Sequence, residues 1–135
     1  MTAFVHTCLR VRDVEASLDF YRALGFELRG RLEFESAYNI YLGLPGGSDV
    51  LELTVNLDQA QPYDLGDGYG HMALSVDDLD SFLERLAAAG IEPERAPYAP
   101  GGRDEYRICF VRDPDGYRLE LIDGPFPTPQ DDRRS

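Results

Sequence analysis

The chain has 135 residues, the length of one domain, and can bury a core of useful size. Its net charge of −12 argues against nucleic acid or an anionic membrane as a partner, and its apolar runs are too short to span a bilayer. All 13 basic residues are arginine, which excludes Schiff-base chemistry on a protein lysine.

Phe4 to Val11 alternates with period two and reads as a strand, with Phe4, His6, Cys8 and Arg10 on one face. Asp13 then caps a helix whose apolar positions are Val14, Leu18, Tyr21 and Leu24, and Gly25 ends it. Strands are predicted over Phe26–Phe34, Ala37–Leu44 and Val50–Leu57, which makes residues 1–57 a β-α-β-β-β module. Residues 58–69 are polar and rich in Gly and Pro, a linker. A second module over 70–124 opens with a strand at His71–Val76 and a helix capped by Asp77 or Asp78 that ends at Gly90. A short strand is then expected at Ile91–Ala96 and a loop at Pro97–Asp104. Tyr106–Arg112 and Tyr117–Asp123 follow as a hairpin around Asp113-Pro-Asp-Gly116. Residues 125–135 carry too much Pro and charge to pack and read as a loose tail. The fold class is therefore α+β, with two tandem modules in one domain over 1–124.

The modules are copies of one another. His6 to Glu27 aligns without a gap on His71 to Glu92, with identical pairs that include His6/His71, Leu9/Leu74, Asp13/Asp78, Leu18/Leu83 and Gly25/Gly90. Each copy also holds a Leu-Glu-Leu strand, at Leu51–Leu53 and Leu119–Leu121. On these strands the leucines face one way and Glu52 and Glu120 the other. Polar residues on the open face of an antiparallel sheet are ordinary. A His and a Glu repeated at matching places in both copies are not, and they select for a function. Imidazole and carboxylate together suit Zn²⁺, Ni²⁺, Co²⁺, Mn²⁺ or Fe²⁺, and His6, Glu52, His71 and Glu120 form a His₂Glu₂ set with room left for substrate. Cys8 and Cys109 have no C-x-x-C spacing and read as two buried, reduced thiols. With no basic segment and apolar run at the N-terminus to mark a secretory signal, a cytoplasmic location is expected.

These residues resemble a known family. His6-Thr-Cys-Leu-Arg-Val, Ser17-Leu-Asp-Phe-Tyr21, Leu51-Glu-Leu-Thr-Val-Asn56, Tyr69-Gly-His-Met-Ala-Leu-Ser-Val76 and Phe110-Val-Arg-Asp-Pro-Asp-Gly-Tyr-Arg-Leu-Glu-Leu121 are similar to motifs of the lactoylglutathione lyases (glyoxalase I) of the vicinal oxygen chelate superfamily. The resemblance covers residues 4 to 123. It implies paired modules curled into an open barrel around one divalent ion, with Ni²⁺ or Co²⁺ favoured and Zn²⁺ an alternative. It also implies a homodimer whose metal sites lie at the interface, His6 and Glu52 coming from one chain and His71 and Glu120 from the other.

The implied reaction isomerises the hemithioacetal of methylglyoxal and glutathione, or a related thiol, to the S-lactoyl thioester through an enediolate. Glu120 is the first choice of base, and Glu52 serves the opposite face. Arg10 and Asn56 would hold the glutathione groups. The loop Pro100-Gly-Gly-Arg-Asp-Glu-Tyr-Arg107 departs from the family pattern, and Arg103 and Arg107 are its two candidates for a substrate carboxylate. Other chemistries of the superfamily (thiol transfer, epimerisation, ring-cleaving dioxygenation) and a drug-binding dimer without metal are the alternatives. The complete set of four ligands weighs against them.

Overall fold

In the computed structural model, which describes residues 1–126, the elements run in the order of a duplicated module. β1 (Thr7–Arg10), α1 (Val14–Ala23), β2 (Glu27–Glu33), β3 (Ala37–Gly43) and β4 (Asp49–Asn56) make the first copy. β5 (Met72–Val76), α2 (Leu79–Ala88), β6 (Ile108–Arg112) and β7 (Arg118–Asp123) make the second. The described residues form two compact units. One comprises Met1–Gly70 with Arg112–Tyr117; the other comprises His71–Val111 with the described residues from Arg118 on.

The first unit holds an open four-stranded sheet in the order β1-β4-β3-β2, with β1 parallel to β4 and the other pairs antiparallel. The Asp13 carboxylate accepts the backbone N–H of Ala16 at 3.2 Å, satisfying one of the open donors at the start of α1. At the far end Gly25 takes φ +108°, a conformation that side chains disfavour, and Phe26 N–H then donates to Tyr21 O at 3.0 Å. Leu51, Leu53 and Val55 of β4 are buried, as are Leu9 and Val11. Each such side chain contributes about 1.5–3 kcal/mol of apolar burial. Glu52, Thr54 and Asn56 lie on the opposite face and are only half-buried.

The turn Asp113–Tyr117 belongs to this first unit. Asp113 is buried and accepts the Tyr21 hydroxyl at 2.7 Å and the N–H groups of Asp115 and Tyr117, each at 2.9 Å. Burial raises its carboxyl pKa above the usual range, and the Tyr21 and backbone hydrogen bonds partly oppose that shift. The Tyr117 hydroxyl donates to Arg10 O at 2.9 Å, and Arg12 N–H donates to Asp115 Oδ1 at 3.1 Å.

The second unit holds an open three-stranded sheet, β5-β7-β6, with β5 parallel to β7. Asp78, the second of the two candidate caps, accepts the N–H of Ser81 at 3.2 Å. Gly90 has φ +80° just after α2. The strand expected at Ile91–Ala96 does not form. Glu94 N–H reaches Phe110 O at 2.8 Å, and Tyr98 makes an isolated bridge to Ile108. Pro93 and Pro97 explain the difference, since each lacks the N–H that a ladder requires. The loop that follows holds one 3-10 turn, Pro100–Gly102. The predicted tail over 125–135 falls outside the described residues beyond Phe126.

Candidate metal centre

His6 and His71 each precede their strand, β1 or β5, by one residue, rather than lying within it as the alternation predicts. In the first unit the parallel register sets Glu52 beside Cys8, and the antiparallel register sets it beside Tyr41. His6 Nε2 lies 3.1 Å from Glu52 Oε2. In the second unit Glu120 pairs with Ala73 across β5 and β7, and His71 Nε2 lies 3.6 Å from Glu120 Oε1. Each unit by itself thus brings one imidazole nitrogen and one carboxylate oxygen together. No group of three or more His, Cys, Asp or Glu side chains able to hold a metal ion occurs among the described residues.

The donors fit a divalent ion. Two atoms bound side by side on one ion, with bonds of about 2.1 Å, stand roughly 3 Å apart, and His6 Nε2 and Glu52 Oε2 have that separation at 3.1 Å. An imidazole and a carboxylate are also the ligand types that catalytic zinc and related ions accept.

Around Glu52 runs a polar chain that the sequence pattern does not reveal. Cys8 Sγ lies 3.2 Å from Thr54 Oγ1, Thr54 Oγ1 donates to Asn39 Oδ1 at 2.8 Å, and Asn39 Nδ2 lies 3.4 Å from the Tyr41 hydroxyl. The His6 ring meets the Tyr41 ring edge-on, with centroids 5.7 Å apart. Both ends of this chain flank Glu52 in the strand register. The Tyr41 hydroxyl is drawn down by Asn39 but raised on balance, chiefly by its hydrogen bond with Glu52. The Cys8 thiol is raised first by partial desolvation on the sheet surface, with Glu52 adding to the shift. Cys8 itself is exposed, against the expectation of two buried thiols; Cys109 is buried, which pushes its thiol up to about 11. Alternation already groups Cys8 with His6, and its exposure follows from sharing that open face.

The surroundings of the second pair combine an apolar cluster with one arginine. The His71 ring meets Phe110 edge-on at 5.3 Å, and Phe110, Ile108 and Ile122 form a buried cluster with Tyr98 against it. The Arg118 guanidinium lies 3.9 Å over the Phe110 ring and is held by Glu94 at 2.9 and 3.0 Å.

Arg10 is exposed on β1, two residues from Cys8 and on the same face. Asn56 is half-buried, and its Nδ2 donates to the Tyr63 hydroxyl at 2.9 Å, a partner that lies in the linker. Of the two loop arginines, Arg103 bonds Glu105 at 2.6 Å, while Arg107 bonds Asp80 at 2.8 Å and Asp123 at 3.3 Å.

Comparison with known proteins extends the resemblance. Residues 3–121 match the family described as the Glyoxalase/Bleomycin resistance protein/Dioxygenase superfamily. A lactoylglutathione lyase of Neisseria meningitidis is 42% identical over 125 residues, covering 87% of this chain and 88% of that protein. One from Arabidopsis thaliana is 38% identical over 134 residues, 93% of this chain but 46% of that protein. Glyoxalase I from Zea mays superposes with a TM-score of 0.80 at 31% identity, covering 92% of this chain and 46% of that one. The chain thus spans about half the length of the maize and Arabidopsis proteins. The trypanothione-dependent glyoxalase I of Leishmania major gives a TM-score of 0.76 at 26% identity, covering 91% of this chain and 87% of that one. The chain belongs to the Glyoxalase/Bleomycin resistance protein/Dioxygenase superfamily and, within it, to the lactoylglutathione lyases.

Proposed function

We infer that this chain is a lactoylglutathione lyase, an enzyme that isomerises the hemithioacetal of methylglyoxal and glutathione, or a related thiol, to the S-lactoyl thioester. The observation that carries the reading is the repeated pair. The same His and Glu approach each other in both units, in a chain 42% identical to a protein of that name.

His6, Glu52, His71 and Glu120 are the proposed ligands of one divalent ion, with Ni²⁺ or Co²⁺ favoured and Zn²⁺ an alternative. When bound, such an ion supplies a Lewis acid for the substrate oxygens. Glu120 takes the proton from the carbon bearing sulfur and returns it to the neighbouring carbon, so that no atom is gained or lost in the isomerisation. Glu52, flanked in the strand register by Cys8 and Tyr41, presents its carboxylate to the opposite face of the substrate. Arg10 and Asn56 bind the thiol portion of the substrate through charge and amide hydrogen bonds.

A homodimer with two metal sites at its interface is the proposed assembly, His6 and Glu52 of one chain completing a site with His71 and Glu120 of a second. No helix among the described residues is long and apolar enough to cross a membrane. Two free cysteines support a cytoplasmic setting, where thiols stay reduced.

Mixing two inactive variants tests the assembly and the ligand set together. In a dimer formed from a His6→Ala/Glu52→Gln chain and a His71→Ala/Glu120→Gln chain, one site has all four ligands and the other has none. Activity returns to about a quarter of wild type after subunit exchange if sites form across chains, and stays at the variants' level if they do not. Thioester formation by metal-stripped protein, with Ni²⁺, Co²⁺ or Zn²⁺ added back singly, identifies the ion.

A further inference from the structure

On the side of the first sheet away from His6 and Glu52 lies a cavity of about 510 Å³, between α1 and the β2–β3 hairpin. That is within the volume range of sites for small organic ligands. Its apolar wall comes from Val14, Leu18, Leu28 and Ile40, and its charged lining is Arg22, Arg29, Arg31 and Glu15, with Glu27, Asp49 and Glu33 paired to Arg29 and Arg31. A chain with 25 acidic and 13 basic side chains has gathered three of those arginines around one hollow.

The three arginines are held differently. Arg29 is fixed by Leu44 O at 2.7 Å, with Gly47 O and Asp49 each at 3.2 Å. Arg31 bonds Glu33 at 2.8 Å and lies 3.8 Å over the Tyr38 ring, which itself lines the cavity. The guanidinium of Arg22, exposed in the last turn of α1, has no hydrogen bond or ion pair among the described residues. A guanidinium left unpaired beside an apolar wall is suited to a carboxylate carried on an apolar body, because two parallel N–H···O bonds and the burial of the body act together.

We propose that this cavity is a second ligand site, distinct from the metal centre, that binds a small apolar or aromatic carboxylate through Arg22 and Arg31. The site also has a path to the first one. Tyr38 and Ile40 line the cavity from one face of β3, while Asn39 and Tyr41 project from the other face into the polar chain around Glu52. A bound carboxylate therefore rests on the strand that positions Tyr41.

Hydrocinnamate is the probe, with its uncharged amide as control, titrated calorimetrically into the metal-loaded full chain and again after chelation. Saturable one-to-one binding is expected for the carboxylate, with shifts of the Tyr38 and Ile40 backbone amides in NMR spectra. Arg22→Gln weakens it by about tenfold or more, and the amide binds correspondingly less. Leu28→Glu places a like charge in the wall and weakens binding as well; Arg22 and Leu28 are both exposed, so both variants keep the fold. Absence of saturable binding to the wild-type chain overturns the proposal. So does binding that Arg22→Gln and Leu28→Glu leave unchanged. Binding that vanishes on chelation assigns the anion to the metal centre and overturns it too.

Discussion

Glu52 stands in a four-stranded sheet among hydroxyl, thiol and amide groups, 3.1 Å from its histidine and with a side chain 12% exposed. Glu120 stands in a three-stranded sheet whose same face carries Phe110, Ile108 and Ile122, 3.6 Å from its histidine and 18% exposed. One ancestral strand has thus been given two environments. Cys8 and Tyr41 flank Glu52 in the strand register, while Glu120 shares its face with the Phe110 cluster and Arg118 and has the longer contact to its histidine. A restrained carboxylate is suited to hold an ion, and a less restrained one to move a proton. On the proposed assignment, the duplication supplies the ligands, and divergence of their neighbours divides the work between Glu52 and Glu120.

The largest expected effect comes from substituting the two glutamates separately. Glu120→Gln lowers kcat by about a thousandfold at saturating metal, the scale of a lost general base. Glu52→Gln is expected to act mainly on metal affinity, weakening it by about 10–100-fold in a competition titration with a chelator. Equal effects of both substitutions on kcat would erase the division of labour. Tyr41→Phe sharpens the comparison further. It is expected to weaken metal binding by several-fold with little change in fold, measured by the same titration. Phe110→Leu, its counterpart beside His71, is expected to spare metal affinity and change KM.

A third contrast concerns the helices. Tyr21 of α1 aligns with Leu86 of α2, and both are fully buried, but only Tyr21 carries a hydroxyl, which donates to Asp113. Tyr21→Phe removes one of the donors to that buried carboxylate and is expected to cost about 1–3 kcal/mol in urea unfolding. Leu86→Phe probes only volume. The pH dependence has a definite sign. The folded-state pKa of Asp113 is raised, so its contribution is fully present below the ordinary aspartate pKa and is lost as pH rises through the folded value. Tyr21→Phe takes away an interaction that holds this pKa down, so the loss on raising pH is steeper in the variant. Unfolding curves collected from acid to neutral pH measure both slopes, and this is the smallest of the expected effects.

Much of this architecture is written locally. Asp13 and Asp78 cap helices because a short carboxylate reaches the third N–H after it, and Gly25 and Gly90 end them because their φ is positive. Alternation along β4 separates Leu51 and Leu53 from Glu52, and the repeat then sets His6 with His71 and Glu52 with Glu120 at matching places. What stays hidden depends on register. The Tyr41–Glu52 neighbourhood depends on how β3 pairs with β4, including an irregularity between Leu42 and Gly43 that no residue pattern announces. The missing strand at Ile91–Ala96 was legible in Pro93 and Pro97, which lack the N–H that a ladder requires. The cavity beside Arg22 was not, since its arginines come from α1 and β2 and converge only on packing.

The turn at residues 113–117 has a consequence for how the protein is made. It is translated after nearly all of the second module, yet it supplies the acceptor for Tyr21 and the donor for Arg10 O in the first unit. The first unit is therefore begun first on the ribosome and finished late. Until Asp113 and Tyr117 emerge, the Tyr21 hydroxyl lacks its native acceptor, and a nascent chain stalled before that turn should be open to proteolysis even with its first sheet fully synthesised.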